Sequence, residues 1–573
     1  MADDDRAPHS VDRRTILIGA AGTAGLVAAG KALVQPPGRA ALAAPRLNQL
    51  GFLPRAPKHF CLPVGPDQDA LGAAPSFRVE TIAGGRAFDG PLGPPIDALA
   101  SAGEHVRAGD FSALVRPGRY RVRVGDRLSH VFEIGETVFA PLLRDAARAF
   151  HIIRANAALD DPVTGLHHPA SHASEARLIV DGVPRDLTGG WYNAGDYGKW
   201  THMAAIAASQ MMWLHELRPA AVRTFVLAVP QTFPGLPDLL QQARWGLEWL
   251  LKMQNPDGSV LHKVDSEPVF AWGLAPDADP HPRRARGPSS VDAGVFAGVM
   301  LQAARVFAGP DSEFAGRCRA SALRAWAWLE AHPHVLHDDP YYADSDPAQE
   351  RLWAACEMAA ATGDPAILAQ AARGLDSLGV FPFFWQCPQL LGAMSLARVA
   401  GPAGTAARAA IAEGAAAAQA VSAGDPYGYS PRREHYVWGS VERALNGAVA
   451  CLFAAELGDP AVPRRTAQRL IDHVLGCNAL DHVFVTGHGA RPTRRPYHWT
   501  TRVWNVVMPG WASGGPNCYP AGADPLLKTV IDSGAPPARC FVDACEPDGS
   551  WASNEGQTSE NAALLLAIGL HSL

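Results

Sequence analysis

The chain has 573 residues, 48% of them hydrophobic and 18% charged, which fits a folded protein and excludes a disordered one. That length exceeds one ordinary core and predicts two or more domains. The net charge of -6 comes without any basic block beyond short Arg pairs, so nucleic acid is excluded as an expected partner.

The first element is a leader. Asp12-Arg13-Arg14-Thr15-Ile16-Leu17-Ile18-Gly19 opens an apolar, small-residue run to about Val34, and Ala41-Leu42-Ala43 offers a small-x-small cleavage site. Residues 1–43 resemble a twin-arginine export signal, which predicts a periplasmic or secreted mature protein. The glycines at 19, 22, 25 and 30 and Lys31 argue against a membrane anchor. No other segment has about 18 consecutive apolar residues, so no further span is expected.

Residues 46–137 read as short strands. Tyr120, Val122 and Val124 alternate with Arg121 and Arg123, Gly125-Asp126 turns the chain, and Leu128, His130, Phe132 and Ile134 alternate again. That is a hairpin with one buried face. About ninety residues of this kind suit a small β-sandwich of immunoglobulin-like type, packed as a spacer on the larger C-terminal part of the chain.

From residue 139 to 573 the period becomes helical. Helices are predicted near 140–159, 200–218, 237–253, 289–308, 314–331, 348–361, 365–376, 386–400, 403–421, 440–457, 462–476 and 557–572. Twelve helices in one domain predict an all-α (α/α)6 barrel, six inner helices ringed by six outer ones. Long loops remain at 160–199, 254–288 and 477–556, and long ordered loops usually carry function. The nine cysteines form no CxxC pair, which argues against a zinc ribbon or a disulfide scaffold. Cys540 and Cys545 lie close enough in sequence to pair, with Cys518 not far upstream; buried free thiols are the reading for most of the nine.

The chemistry concentrates in two loops. Residues 189–200 read Gly-Gly-Trp-Tyr-Asn-Ala-Gly-Asp-Tyr-Gly-Lys-Trp. Trp191, Tyr192, Tyr197 and Trp200 surround one acid, Asp196; aromatic faces stack on sugar rings, and a carboxylate among them can activate a water. Near the C-terminus, Ser553-Asn554-Glu555-Gly556-Gln557-Thr558-Ser559-Glu560-Asn561-Ala562 sets a second acid before the last helix. Two carboxyl groups, one taking a proton from water and one protonating the leaving oxygen, are what inverting glycoside hydrolysis needs.

The first string resembles the signature loop of glycoside hydrolase family 9, Gly-Gly-Trp-Tyr-Asp-Ala-Gly-Asp-Tyr-Gly-Lys-Tyr, the cellulase and endoglucanase type. The resemblance covers about 46–573. Leu47-Asn48-Gln49-Leu50-Gly51-Phe52-Leu53-Pro54 is similar to the first strand of the immunoglobulin-like module that precedes many such domains. Val483-Phe484-Val485-Thr486-Gly487, Pro509-Gly510 and Gly514-Gly515-Pro516-Asn517 follow in the family's order. The resemblance implies Asp196 as base, Glu555 as acid, and Asn193 as the water-positioning helper where the family has a second Asp. An amide can bond a water but can neither share a negative charge nor take a proton, and losing that charge lowers the basicity of Asp196. Glu560 is set aside by the same alignment.

The resemblance further implies sugar contacts from Trp191, Tyr192, Tyr197, Trp353, Tyr436, Trp438, His498 and Trp499. Pro496-Tyr497-His498-Trp499 stands where the family has Pro-His-His-Arg, and Arg502 is a candidate substitute for the lost Arg. Many relatives bind zinc through two Cys and two His, but the expected Cys positions here are near Ala155 and at Ser171, so no metal is expected there and His172 reads as structural. Calcium is common in the family; Asp344, Asp346 and Glu350 lack loop-type ligand spacing and read as a solvated acidic turn. The expected activity is cofactor-free, inverting cleavage of β-1,4-linked glucan. The alternatives are an exo-β-glucosaminidase acting on chitosan oligomers and a sugar-binding relative that has lost turnover.

Overall fold

The computed structural model describes residues 43–64, 75–267, 272–339, 341–458, 461–519, 524–547 and 549–573. The export signal thus lies outside the described residues, apart from its last position. Eight strands open the described chain: β1 (Gly51–Phe52), β2 (His59–Val64), β3 (Ser76–Thr81), β4 (Arg86–Ala98), β5 (Glu104–Asp110), β6 (Gly118–Val124), β7 (Arg127–Leu128) and β8 (Phe132–Ile134). They pair in the order β1-β8-β6-β3-β4-β5-β2, with β7 on β6. The long β4 shifts register between Leu92 and Pro95, which lets it pair with β3 on one side and β5 on the other.

Alternation explains which face closes. Tyr120, Val122, Val124, Phe132 and Ile134 all point into one core with Phe52, Phe60, Phe77 and Phe111, while Arg121 and Arg123 turn outward and grip Glu80 at 2.6 and 2.9 Å. The Tyr120 hydroxyl donates back to the Arg116 carbonyl at 2.9 Å, a tyrosine corner of the kind found in immunoglobulin-like sandwiches.

All twelve expected helices are present: Ala140–Ile152, Thr201–Leu217, Asp238–Met253, Ser290–Val306, Ser312–Ala331, Ala348–Thr362, Pro365–Leu378, Gln389–Leu396, Pro402–Ala423, Ser440–Leu457, Ala461–Val474 and Thr558–Ser572. The first ends earlier than predicted, because Ile153 leaves the helical region and the chain turns toward the aromatic loop. Two burial patterns divide them. Thr201–Leu217, Ser290–Val306, Gln389–Leu396, Ser440–Leu457 and Thr558–Ser572 are buried nearly all round, and Ala348–Thr362 over most of its length. Helices such as Asp238–Met253 and Pro365–Leu378 bury one stripe. All-round burial marks an inner helix and a single stripe an outer one. Inner and outer helices in turn are what an (α/α)6 barrel requires.

The β-domain is bonded to the helices rather than tethered. Arg46 reaches Glu104 and the Tyr427 hydroxyl, both at 2.6 Å. Glu104 also takes Arg539 at 2.7 Å, and Asn48 donates to Asp472 at 2.8 Å. All nine cysteines are free, so the Cys518, Cys540 and Cys545 neighbourhood holds no bridge. No helix among the described residues is long and apolar enough to cross a membrane.

Candidate active site

The loop 189–200 is shaped before any chemistry is considered. Gly190 has φ +76°, and a Cβ there would stand 2.6 Å from the Trp249 ring, so only glycine fits. Its carbonyl accepts from Ala155 N–H at 2.9 Å and from Trp245 Nε1 at 2.7 Å. Lys199 closes the loop from inside: its ammonium meets Glu175 at 2.5 Å, Leu187 O at 2.8 Å and Gly189 O at 2.9 Å, while Arg283 holds the other Glu175 oxygen at 2.7 Å. Burial pulls the Lys199 amine down to about 8, against the pull of Glu175.

Asp196 is partly exposed at the loop's tip, and its Oδ1 accepts the Gly198 N–H at 3.1 Å. The second acid arrives from the far end of the chain. Glu555 is 8% exposed, and its Oε1 accepts the N–H of Gly195, the residue before Asp196, at 3.0 Å. Both acids named from the sequence therefore meet at one place.

Asn193 is also here, with its side chain committed on both ends. Its Oδ1 accepts from Thr558 Oγ1 at 2.6 Å and its Nδ2 donates to the Tyr342 hydroxyl at 3.0 Å. It ties the loop to the last helix. Glu560 is buried behind Glu555, and burial together with Glu442 raises its carboxyl well above the usual range.

The aromatic assignments need correction. Trp191, Tyr192, Tyr197, Trp353, Tyr436 and Trp499 are all enclosed, and an enclosed ring has no face for a sugar. Trp191 wedges between Gly246 and Phe150. Trp353 fills the gap beside Gly298 and Gly392. The Tyr197 and Tyr436 hydroxyls donate to the Leu274 and Ser430 carbonyls at 2.6 and 2.7 Å, and Trp499 packs edge-on against Tyr192. His498 is buried as well: its Nδ1 accepts the Thr500 N–H at 3.2 Å and caps the short helix Trp499–Trp504, and burial drives the imidazole down to about 3, hence neutral. Among these eight only Trp438 keeps partial exposure.

Rings that sequence reading missed keep partial exposure near the loop. Partly exposed Tyr342 and Trp385 flank Trp200, with centroids 4.6 Å apart for Trp200–Tyr342 and 5.7 Å for Tyr342–Trp385. On the other flank, partly exposed Trp272 and Trp551 lie 5.4 and 5.7 Å from Tyr497. Arg502 stacks over Trp272 at 4.8 Å, which places the expected substitute arginine on this flank. Isolated aromatics in long loops carry no periodic signal, so no pattern pointed to them.

Asp265 is a third carboxylate that sequence reading missed. It sits on the strand Lys263–Ser266, which pairs with Lys199–Trp200 at the loop's end. Burial and the charge of Asp196 push its carboxyl up to about 6, against Lys263 and Arg283.

Three clusters bear on metals. Around Ser171 and His172, where the family resemblance led to no expected metal, the Tyr192 hydroxyl bonds Ser171 Oγ and His172 Nδ1, both at 2.6 Å, and His172 Nε2 faces Asp279 at 3.2 Å. His202, His262 and Asp292 have potential ligand atoms within 4.8 Å of one another; Asp292 Oδ2 bonds His262 at 2.9 Å and Ser289 at 2.5 Å, while Asp292 Oδ1, His262 Nε2 and both His202 ring nitrogens lack a hydrogen-bond partner among the described residues. The acidic turn at 344–350 is not solvated as expected. Asp346 is exposed, but Asp344 is buried and Glu350 is 0% exposed, because the start of Ala348–Thr362 packs against Gly294. Both Glu350 oxygens and Asp344 Oδ2 lack a hydrogen-bond partner among the described residues.

Two acids and several partly exposed rings thus gather around the loop 189–200. The model of glycosyl hydrolase family 9 matches residues 139–568, and that of the cellulase N-terminal ig-like domain matches residues 43–129. The chain belongs to glycosyl hydrolase family 9. Endoglucanase C of Cellulomonas fimi is 31% identical over 91% of this chain and 51% of its own length. The cellodextrinase of Butyrivibrio fibrisolvens is 28% identical over 91% of this chain and 98% of its own. The crystal structure of a metagenome-derived glycoside hydrolase family 9 endoglucanase superposes with a TM-score of 0.84 at 32% identity, covering 92% of this chain and 99% of that one. This chain thus spans about half of endoglucanase C but nearly all of the other two. Asn193, and Tyr497 from the separate 496–499 segment, lie beside the Gly195–Glu555 contact.

Proposed function

We propose that the chain is an exported, inverting glycoside hydrolase that cleaves β-1,4-linked glucan on an (α/α)6 barrel. The observation that carries this reading is the hydrogen bond from Gly195 to Glu555, which seats a C-terminal acid beside Asp196 although 360 residues separate the bonded groups. Glu555 is the general acid. Its Oε1 takes the Gly195 N–H, and the other oxygen delivers a proton to the leaving oxygen. Asp196 takes a proton from water as that water attacks the anomeric carbon from the opposite face. Tyr342 and Trp385 on one flank and Trp272 and Trp551 on the other supply stacking faces. Asn193 fixes the loop on the last helix instead of holding the water directly. The named relatives are an endoglucanase and a cellodextrinase, and this favours glucan over an amino sugar.

Proton NMR of early cello-oligosaccharide products tests the reading. The α-anomer is expected to appear first. A β-anomer as first product overturns inversion. Glucosamine from chitosan oligomers as the sole product overturns the substrate.

A cation is proposed at Asp344 and Glu350. Their orphaned buried oxygens are carboxylate donors, the ligand type that calcium takes, and burial together with the nearby Asp344 carboxyl raises the Glu350 carboxyl well above its usual range. The cation would brace the loop ahead of Ala348–Thr362 and take no part in the reaction. Chelator is expected to lower the melting temperature, with calcium restoring it, and Glu350→Gln should lose that response. A melting curve indifferent to both removes the proposal.

A further inference from the structure

We propose that Asp265 supplies the second carboxylate that the aromatic loop lacks at Asn193, and that it holds the attacking water together with Asp196. The inference rests on the reading of Asp196 as base and adds a positioning residue to it. Four observations converge.

The first is that Asn193 is spent. It is 1% exposed, and Thr558 and Tyr342 occupy its two polar ends at 2.6 and 3.0 Å. The second is adjacency. A Cβ placed on Gly198 would stand 2.8 Å from Trp200 Nε1, 3.3 Å from Asp196 Oδ1 and 3.4 Å from Asp265 Cγ. Both carboxyl groups and the Trp200 indole nitrogen thus converge on Gly198, whose lack of a side chain lets them approach. The third is access: the Asp265 side chain keeps 14% exposure, so it is not sealed into the core as Asn193 is.

The fourth is support for the charged form. Ser266 N–H donates to Oδ1 at 2.7 Å, Lys263 Nζ stands 3.3 Å from Oδ2, and Arg283 is 3.8 Å from Oδ1. Lys263 and Arg283 are shared with Asp339 and Glu175, so their charge on Asp265 is only partial. Burial and the charge of Asp196 raise the Asp265 carboxyl to about 6.

In the step itself the water gives one proton to Asp196 and its remaining hydrogen points to Asp265. The water oxygen forms the new bond to the anomeric carbon, the glycosidic bond breaks, and Glu555 protonates the departing oxygen. The proton on the Asp196–Asp265 pair then returns to solvent.

The experiment compares Asp265→Asn, Asp196→Ala and the double variant Asn193→Asp/Asp265→Asn with the parent, using cellopentaose. Asp265→Asn should lower kcat about 100-fold, a typical contribution of one assisting group, with KM within about threefold. Its acid limb should move below the parent's, because the Asp265 carboxyl, raised to about 6 by burial and the charge of Asp196, no longer contributes to it. A carboxylate returned at the sealed position 193 should not restore the rate, because that side chain faces Thr558 and Tyr342; full recovery in the double variant would count against the role of Asp265. Retained melting temperature and retained cellopentaose binding, measured by calorimetry, separate lost chemistry from lost fold. A kcat for Asp265→Asn within threefold of the parent, or a loss confined to KM, overturns the role of Asp265. If Asp265→Asn fails to fold, Asp265→Glu decides: it should keep more than a tenth of kcat with a displaced acid limb, and an unmoved limb counts against the role. Full activity in Asp196→Ala would instead remove the base assignment, so the two failures are distinguishable.

Discussion

Glu555→Gln should lower turnover on cellopentaose by about 10³-fold, and Asp196→Ala by at least about 10²-fold, both within the range of general acid–base contributions. The two losses should differ in kind. A substrate whose leaving group is already acidic, such as dinitrophenyl cellobioside, needs no proton on departure. Glu555→Gln should therefore recover most of its rate on that substrate, whereas Asp196→Ala should not, because water must still be activated. Gln keeps the acceptor oxygen for Gly195 N–H, so the 3.0 Å contact survives and the melting temperature should hold. Undiminished turnover of the oligosaccharide in either variant would remove that residue from its role.

Gly195→Ala should be nearly as damaging with every catalytic group intact. Its Cβ would fall 2.5 Å from the Tyr497 carbonyl and 2.9 Å from Glu555 Oε1, closer than real Cβ atoms approach. The loop must back away, lengthening the Gly195–Glu555 hydrogen bond and moving the acid relative to the base. Misplacement by about 1 Å can cost about 10²-fold in rate, so a fall of that order in kcat is expected. Gly309→Ala is the matched control, since that Cβ would meet nothing within 4 Å. Equal activities for the two alanine variants would show that Gly195 does not set the acid's position.

The contrast between these residues and the aromatics shows how far the chain can be read. Asp196 and Glu555 were named from short strings in which nearly every neighbour matched a pattern. Trp191, Tyr192 and Tyr197 came from the same string, yet the structure turns each of them inward. A string says that a ring is needed. It does not say whether the ring faces sugar or props the loop from behind. The acidic turn at Asp344 failed for a related reason: its solvation was inferred from composition, but helix packing buries Glu350 completely.

What the sequence determined by itself is what local periodicity and short motifs encode. Twelve helices follow from apolar spacing near 3.6, the β-hairpin follows from alternation, and the two acids follow from strings of about ten residues. The tertiary structure decided what depends on distance across the chain. It placed Gly195 on Glu555, Asn193 on Thr558 and Tyr342, and Asp265 beside Asp196 through the pairing of Lys263–Ser266 with Lys199–Trp200. Which groups become neighbours, and which faces stay open, is settled by packing between segments far apart in sequence, and no local pattern carries that information.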